Sequence, residues 1–127
     1  MTKSDCNYWG AIVFLTLFFI PLHSQSQKIN SFWTEFKIAV INKDTIKVAS
    51  FVEFAPSNGL IGKDSSEFYK NFNSLFDEKT VEIMKKTEEL QKSGNNSYIF
   101  VGSGAYKFFS FKKKGGKFKL YNVKYYD

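Results

Sequence analysis

Residues Ser97 to Tyr126 read SYIFVGSGAYKFFSFKKKGGKFKLYNVKYY, and the alternation of aromatic and polar residues about Gly115-Gly116 decides the fold. A two-residue Gly-Gly loop suits a primed hairpin turn, because glycine reaches positive φ without a Cβ clash. That turn sets Phe111 opposite Leu120, Phe108 opposite Val123 and Tyr106 opposite Tyr125. Opposed residues of an antiparallel pair share a face. Phe118, Phe111, Leu120 and Phe109 therefore gather on one side near the turn, and Tyr106, Phe108, Val123, Tyr125 and Tyr121 on the other. Such an exchange of faces along one hairpin predicts a strongly twisted, curling sheet, covered by helices on one face and partly enclosed on the other. Ser97 to Val101 supplies a third strand, and Gly102-Ser103-Gly104 joins it to the next.

Upstream, the apolar period changes to that of helices. Ser31 to Lys43 places Phe32, Trp33, Phe36, Ala39 and Val40 on one stripe, with Asn30 or Ser31 as cap. Asp44 caps a shorter helix through Val52 with Ile46, Ala49 and Val52 inward. Phe54-Ala55-Pro56-Ser57-Asn58-Gly59 breaks the pattern, and a brief strand or loop runs on to Gly62. Asp64 with Glu67 forms a capping-box pattern that opens a helix presenting Phe68, Phe72 and Leu75 or Phe76. Asp77 caps a last helix, Glu78 to Lys92, with Val81, Met84 and Leu90 inward. Its pairs Glu82 to Lys86 and Glu88 to Lys92 are spaced for a solvated face, and Ser93-Gly94-Asn95-Asn96 closes it. The fold class is α+β: about four helices followed by a C-terminal antiparallel sheet of three or four curled strands.

The chain has 127 residues, 43% hydrophobic and 19% aromatic, enough for one packed domain and incompatible with low-complexity disorder. Met1 to Ser26 has the layout of a secretory signal: Lys3 in the n-region, the apolar run Ala11 to Ile20, and small residues Ser24 and Ser26 at the −3 and −1 positions. Cleavage is expected after Ser26, or after Ser24, leaving a single domain over 27–127 that is periplasmic or extracellular. Trp9 to Leu22 falls short of the roughly 20 apolar residues a span requires, so no stable membrane span is expected after cleavage. Cleavage would also remove Cys6 and His23, the chain's one cysteine and one histidine. That excludes Ser-His and Cys-His pairs, thiolate zinc sites and disulfides from the exported domain. Net charge is +6 and every one of the 18 basic residues is lysine, so the bidentate forks of arginine are missing.

The runs FWTEFKIAVINKDTIKVASFVEF, SEFYKNFNSLFDEKTVEIM, YIFVGSGAYKFFSF and GKFKLYNV resemble a family of small exported bacterial proteins of uncharacterised function. Their α+β arrangement is similar to the cone-shaped rolls of the nuclear-transport-factor-two-like and cystatin-like folds. The likeness covers most of the chain beyond the leader and consists of packing motifs. The segment between Phe54 and Ser65 is shorter than in those relatives. The resemblance implies a fold and carries no catalytic set.

Gly102-Ser103-Gly104 lacks the third glycine of a phosphate loop and precedes a strand, which reads as a turn. Asp64, Glu67, Asp77 and Glu78 stand at helix starts, where capping is their plain role. The function expected is therefore non-catalytic: a binding module with an aromatic pocket between sheet and helices, edged by Tyr106, Tyr121 and Tyr125, for a small apolar ligand or partner. An alternative is contact with an anionic cell-envelope component through Lys112, Lys113 and Lys114, beside Lys117 and Lys119, at the hairpin tip. A carboxylate-based hydrolase is the third reading. No cofactor, metal or nucleic acid is expected.

Overall fold

Among the described residues, four strands follow one another in the chain and in the sheet, a β1-β2-β3-β4 antiparallel meander that comes after four helices. The computed structural model describes residues 28–57, 60–103 and 106–126, so the expected leader lies outside the described residues. The helices are α1 (Ile29–Ile41), α2 (Thr45–Ser50), α3 (Ser65–Leu75) and α4 (Glu78–Lys86). The strands are β1 (Gln91–Gly94), β2 (Ser97–Gly102), β3 (Lys107–Lys114) and β4 (Lys117–Tyr125). This is the α+β class that the sequence implies.

Gly115 (φ 61°) and Gly116 (φ 82°) make the expected primed turn, and Phe111 pairs with Leu120. Beyond that pair the register slips by one between Ser110 and Phe111, and Tyr121 has no partner on β3. Val123 is thus opposite Phe109 instead of Phe108, and Tyr125 is opposite Lys107 instead of Tyr106. The β-bulge corrects the expected exchange of faces: Phe109, Phe111, Phe118, Leu120 and Val123 all turn to the helices and all are buried.

The helices cover that face with rings. Phe32, Trp33, Phe36, Ala39 and Val40 of α1 are buried, as their spacing predicts. Phe36 meets Phe111 edge to face at 5.1 Å, Trp33 lies 5.2 Å from Phe100, and Phe76 stacks on Phe109 at 5.3 Å. Such pairs add about 0.5–1.5 kcal/mol each beyond area burial. The space between sheet and helices is thereby filled, where a ligand pocket was expected.

Three helix boundaries differ from expectation. First, α1 starts at Ile29 behind Lys28, with no side-chain cap, because Ile29 packs against the core and extends the helix past Asn30. Second, α2 is capped by Asp44, whose Oδ1 accepts from Lys47 N at 3.1 Å, but it ends at Ser50. Ile46 is 73% exposed, and Val48 and Ala49 are its buried residues. Val52 leaves the helix to bridge Leu120 in parallel, where Glu53 N donates to Leu120 O and Leu120 N donates to Phe51 O. This is an isolated bridge outside the four strands, and the described residues of 54–63 carry no strand, so the loop alternative holds there.

Third, α4 stops at Lys86, six residues before the expected Lys92. Thr87 turns extended, and its carbonyl accepts from Trp33 Nε1 at 2.9 Å and from Lys37 Nζ at 3.0 Å. Gln91–Gly94 is then free to pair with β2, so Glu88 and Lys92 are not a helical pair, and Asn95 and Asn96 turn a hairpin instead of closing a helix.

Candidate binding surface

A regular strand sends consecutive side chains to opposite faces. The bulge at Tyr121 breaks this rule, and both Tyr121 and Asn122 line one cleft on the sheet face opposite the helices. Asn122 is opposite Ser110 on β3, and Ile99 of β2 is opposite Ser110 on the other side. Phe108 and Tyr126 meet edge to face at 4.7 Å at one end, beside Lys124, which is opposite Phe108. The cleft has a volume of about 340 Å³ and mixes aromatic, hydroxyl, amide and ammonium groups.

From the cleft towards the hairpin tip the same face becomes a lysine row. Lys112 is directly opposite Lys119, and Lys114 directly opposite Lys117. Like charges placed opposite one another are destabilising. Across the whole stretch from Gln91 to Tyr126 there is no Asp or Glu, whereas lysines and acids nearly balance over 28–90. The positive charge of the described protein therefore resides on its sheet.

The expected site residues separate into different places. Tyr121 lines the outer cleft, but Tyr125 lies on the opposite face, with its ring 5.4 Å from Lys107 Nζ. Tyr106 precedes β3, is 59% exposed and does not line the cleft. The three tyrosines do not form the expected pocket; Phe108 and Tyr126 are the rings beside Tyr121. Once the bulge is known, Tyr126 falls on the outward parity with Asn122 and Lys124, a signal that a regular register hides. Of the lysines, Lys112 is exposed on the outer face. Lys113 turns inward over the Phe118 ring at 5.5 Å, and Lys114 Nζ donates to Glu53 Oε1 at 2.9 Å.

Lys107 is a buried cation with a role that spacing alone does not reveal. It is 2% exposed, and its Nζ donates to Ser74 O at 2.8 Å, Leu75 O at 3.1 Å and Asp77 Oδ2 at 3.4 Å. These carbonyls end α3, and Asp77 caps α4 by accepting from Thr80 N at 2.8 Å. One cation thus neutralises the negative end of one helix and the cap of the next. Its parity with Phe109 and Phe111 was the available signal.

Partial burial pushes the Asp77 carboxyl up, but the Thr80 hydroxyl and backbone N–H together with the Lys107 ammonium outweigh it and hold the group below its ordinary 3.8. The Thr80 hydroxyl is buried without a hydrogen-bond partner, and the geometric bond to Asp77 comes from the Thr80 backbone N–H. Asp77, Glu78 and Glu82 border a second concavity of about 530 Å³, with Lys43 and Lys85 among them. A carboxyl held ionised is poorly suited to donate a proton at neutral pH. Asp64 and Glu67 do capping work: Asp64 accepts from Glu67 N, and Glu67 Oε1 from Lys63 N. Among the described residues no group of three or more acidic, His or Cys side chains could hold a metal, and no helix is long and apolar enough to cross a membrane.

No protein-family model matches the chain, and neither a curated protein nor a solved structure matches it.

Proposed function

We propose that this chain is an exported, non-catalytic binding domain that holds an extended anionic polymer of the cell envelope against the outward face of its sheet. The observation that carries this reading is the opposed pair Lys112–Lys119 on four strands without one acidic residue, next to Lys117, whose opposite Lys114 is paired with Glu53 from outside those strands. A folded domain keeps such repulsion at a cost, and a bound polyanion relieves it. Small apolar ligands fit the geometry less well, because the sheet–helix interface is occupied by Trp33, Phe36, Phe109 and Phe111, all at 0% exposure. Lysine supplies point charges without a fixed fork, which suits attraction along a chain more than recognition of one anion.

The test is a salt titration of binding to polyphosphate, comparing the wild type with Lys112→Glu/Lys117→Glu/Lys124→Glu. These side chains are exposed, so thermal stability should hardly change. Binding should weaken as the Debye length falls from about 10 Å at 0.1 M to about 3 Å at 1 M salt, and the triple variant should lose it. Salt-independent binding by the variant would remove the proposal. Export is tested separately by intact mass: protein from the envelope fraction should begin at or near Gln27.

A further inference from the structure

The cleft at the bulge differs in chemistry from the lysine row it adjoins, and a purely electrostatic surface has no need of it. Its rings and polar groups are also placed unlike a nucleic-acid groove. Single-stranded nucleic acid is held by aromatic platforms spaced along a basic track, so that successive bases stack. Here Phe108, Tyr121 and Tyr126 line a single cleft with Lys124, and no ring of that cleft lies along the stretch from Lys112 to Lys117. One ring-sized unit is accommodated at the cleft, and the rest of a ligand chain meets charge.

We propose that this cleft is a subsite for a single carboxylated sugar unit of an acidic glycan, with Tyr121 and Tyr126 against the ring, Ser110 and Asn122 to its hydroxyls, and Lys124 to its carboxylate. The assignment rests on the anionic-polymer reading and narrows it to one ligand class. A sugar ring presents C–H groups on its faces, which pack on aromatic rings, and hydroxyls around its edge, each both donor and acceptor. Ser110 offers a hydroxyl and Asn122 an amide, so the cross-strand pair supplies donors and acceptors together. Lys124 lies opposite Phe108 and supplies the charge that a neutral sugar would not require.

The size agrees. A volume of about 340 Å³ is at the small end of ligand pockets, which run from about 300 to 1,000 Å³, and suits one ring better than several. The remaining units have a path: from Phe108 to Lys112 along β3 is four residues, about 13 Å at the usual strand rise, and Lys119 lies beside Lys112. The bulge is what makes the subsite, since without it Tyr121 and Asn122 would point to opposite faces.

The full chain is titrated with polygalacturonate, with polyphosphate of matched charge content and with oligo-dT, each for the wild type, Tyr121→Ala and Asn122→Ala, with thermal melts to confirm folding. Polygalacturonate should bind about five- to tenfold more tightly than polyphosphate, the worth of one good ring contact with its hydrogen bonds. Tyr121→Ala should erase this preference while leaving polyphosphate binding intact. Saturation-transfer NMR on the wild type should show contact between tyrosine ring protons and sugar C–H protons, a readout independent of any variant. Equal affinity for the two polyanions, unchanged in both variants, overturns the subsite and leaves the electrostatic reading standing. Failure to bind either polyanion overturns both. Tighter binding of oligo-dT that Tyr121→Ala weakens assigns the cleft to nucleobases and likewise overturns the proposal.

Discussion

Lys107 Nζ lies 2.8 Å from the carbonyl oxygen of Ser74, so a strand lysine closes the end of a helix that is more than thirty residues away in the chain. The bond ties β3 to the α3–α4 corner and satisfies backbone acceptors that helix geometry leaves open. Lys107→Met should therefore destabilise the domain by about 3 kcal/mol, because it strands Ser74 O, Leu75 O and a facing carboxylate. Lys112→Met, on the exposed face, should stay within about 0.5 kcal/mol of wild type. Urea melts of the two variants check this, and equal effects would show that the buried ammonium is dispensable.

Acid should act on the same corner. Asp77 has a folded pKa below its ordinary 3.8, so its contribution is present in full above that value and is lost as pH falls through the lower folded one. Asp77→Asn keeps a competent helix cap and removes the charge. The wild type should be the more stable of the two near neutral pH, and the difference should shrink between about pH 4 and pH 2. A difference that stays constant over that range would mean that charge is not what Asp77 contributes.

Two phenylalanines three residues apart on β3 face opposite sides of the sheet. Phe111 is fully buried against Phe32, Trp33 and Phe36, and its truncation to alanine should cost about 3–5 kcal/mol. Phe108 faces the outer cleft, half-buried, and Phe108→Ala should cost about 1 kcal/mol. Lys113→Ala loses a contact over Phe118 worth about 0.5–1 kcal/mol. Thermal melts that rank Phe108→Ala level with Phe111→Ala would contradict the register.

Two glycines with positive φ offer a further comparison. A Cβ on Gly62 (φ 109°) would stand 2.7 Å from Glu67 Cβ and 3.1 Å from Phe68 N, at the start of α3. One on Gly115 (φ 61°) would meet nothing within 4 Å. Gly62→Ala should lose about 2 kcal/mol or more, and Gly115→Ala about 1 kcal/mol, the difference being the clash. Calorimetry of both variants measures it.

Much of this protein is legible in the sequence because much of it is local. The stripe Phe32, Trp33, Phe36, Ala39 and Val40 reads off a helical period, and the caps Asp44, Asp64 and Asp77 act within three residues of themselves. Gly115-Gly116 carries its turn in its own backbone freedom. The tertiary structure decided what depends on distant partners. Trp33 and Lys37 take the Thr87 carbonyl across more than fifty or close to fifty residues of chain and end α4, where charge pairs such as Glu88 to Lys92 favoured continuing it. Local spacing could not place the bulge either: it turns Val123 to the core and brings Tyr121 beside Asn122, because burying one more apolar side chain on the helix face outweighs an unbroken ladder. Whether a lysine in an aromatic strand is solvated or buried is likewise undecided until carbonyls are brought to it, and at Lys107 the end of α3 does so.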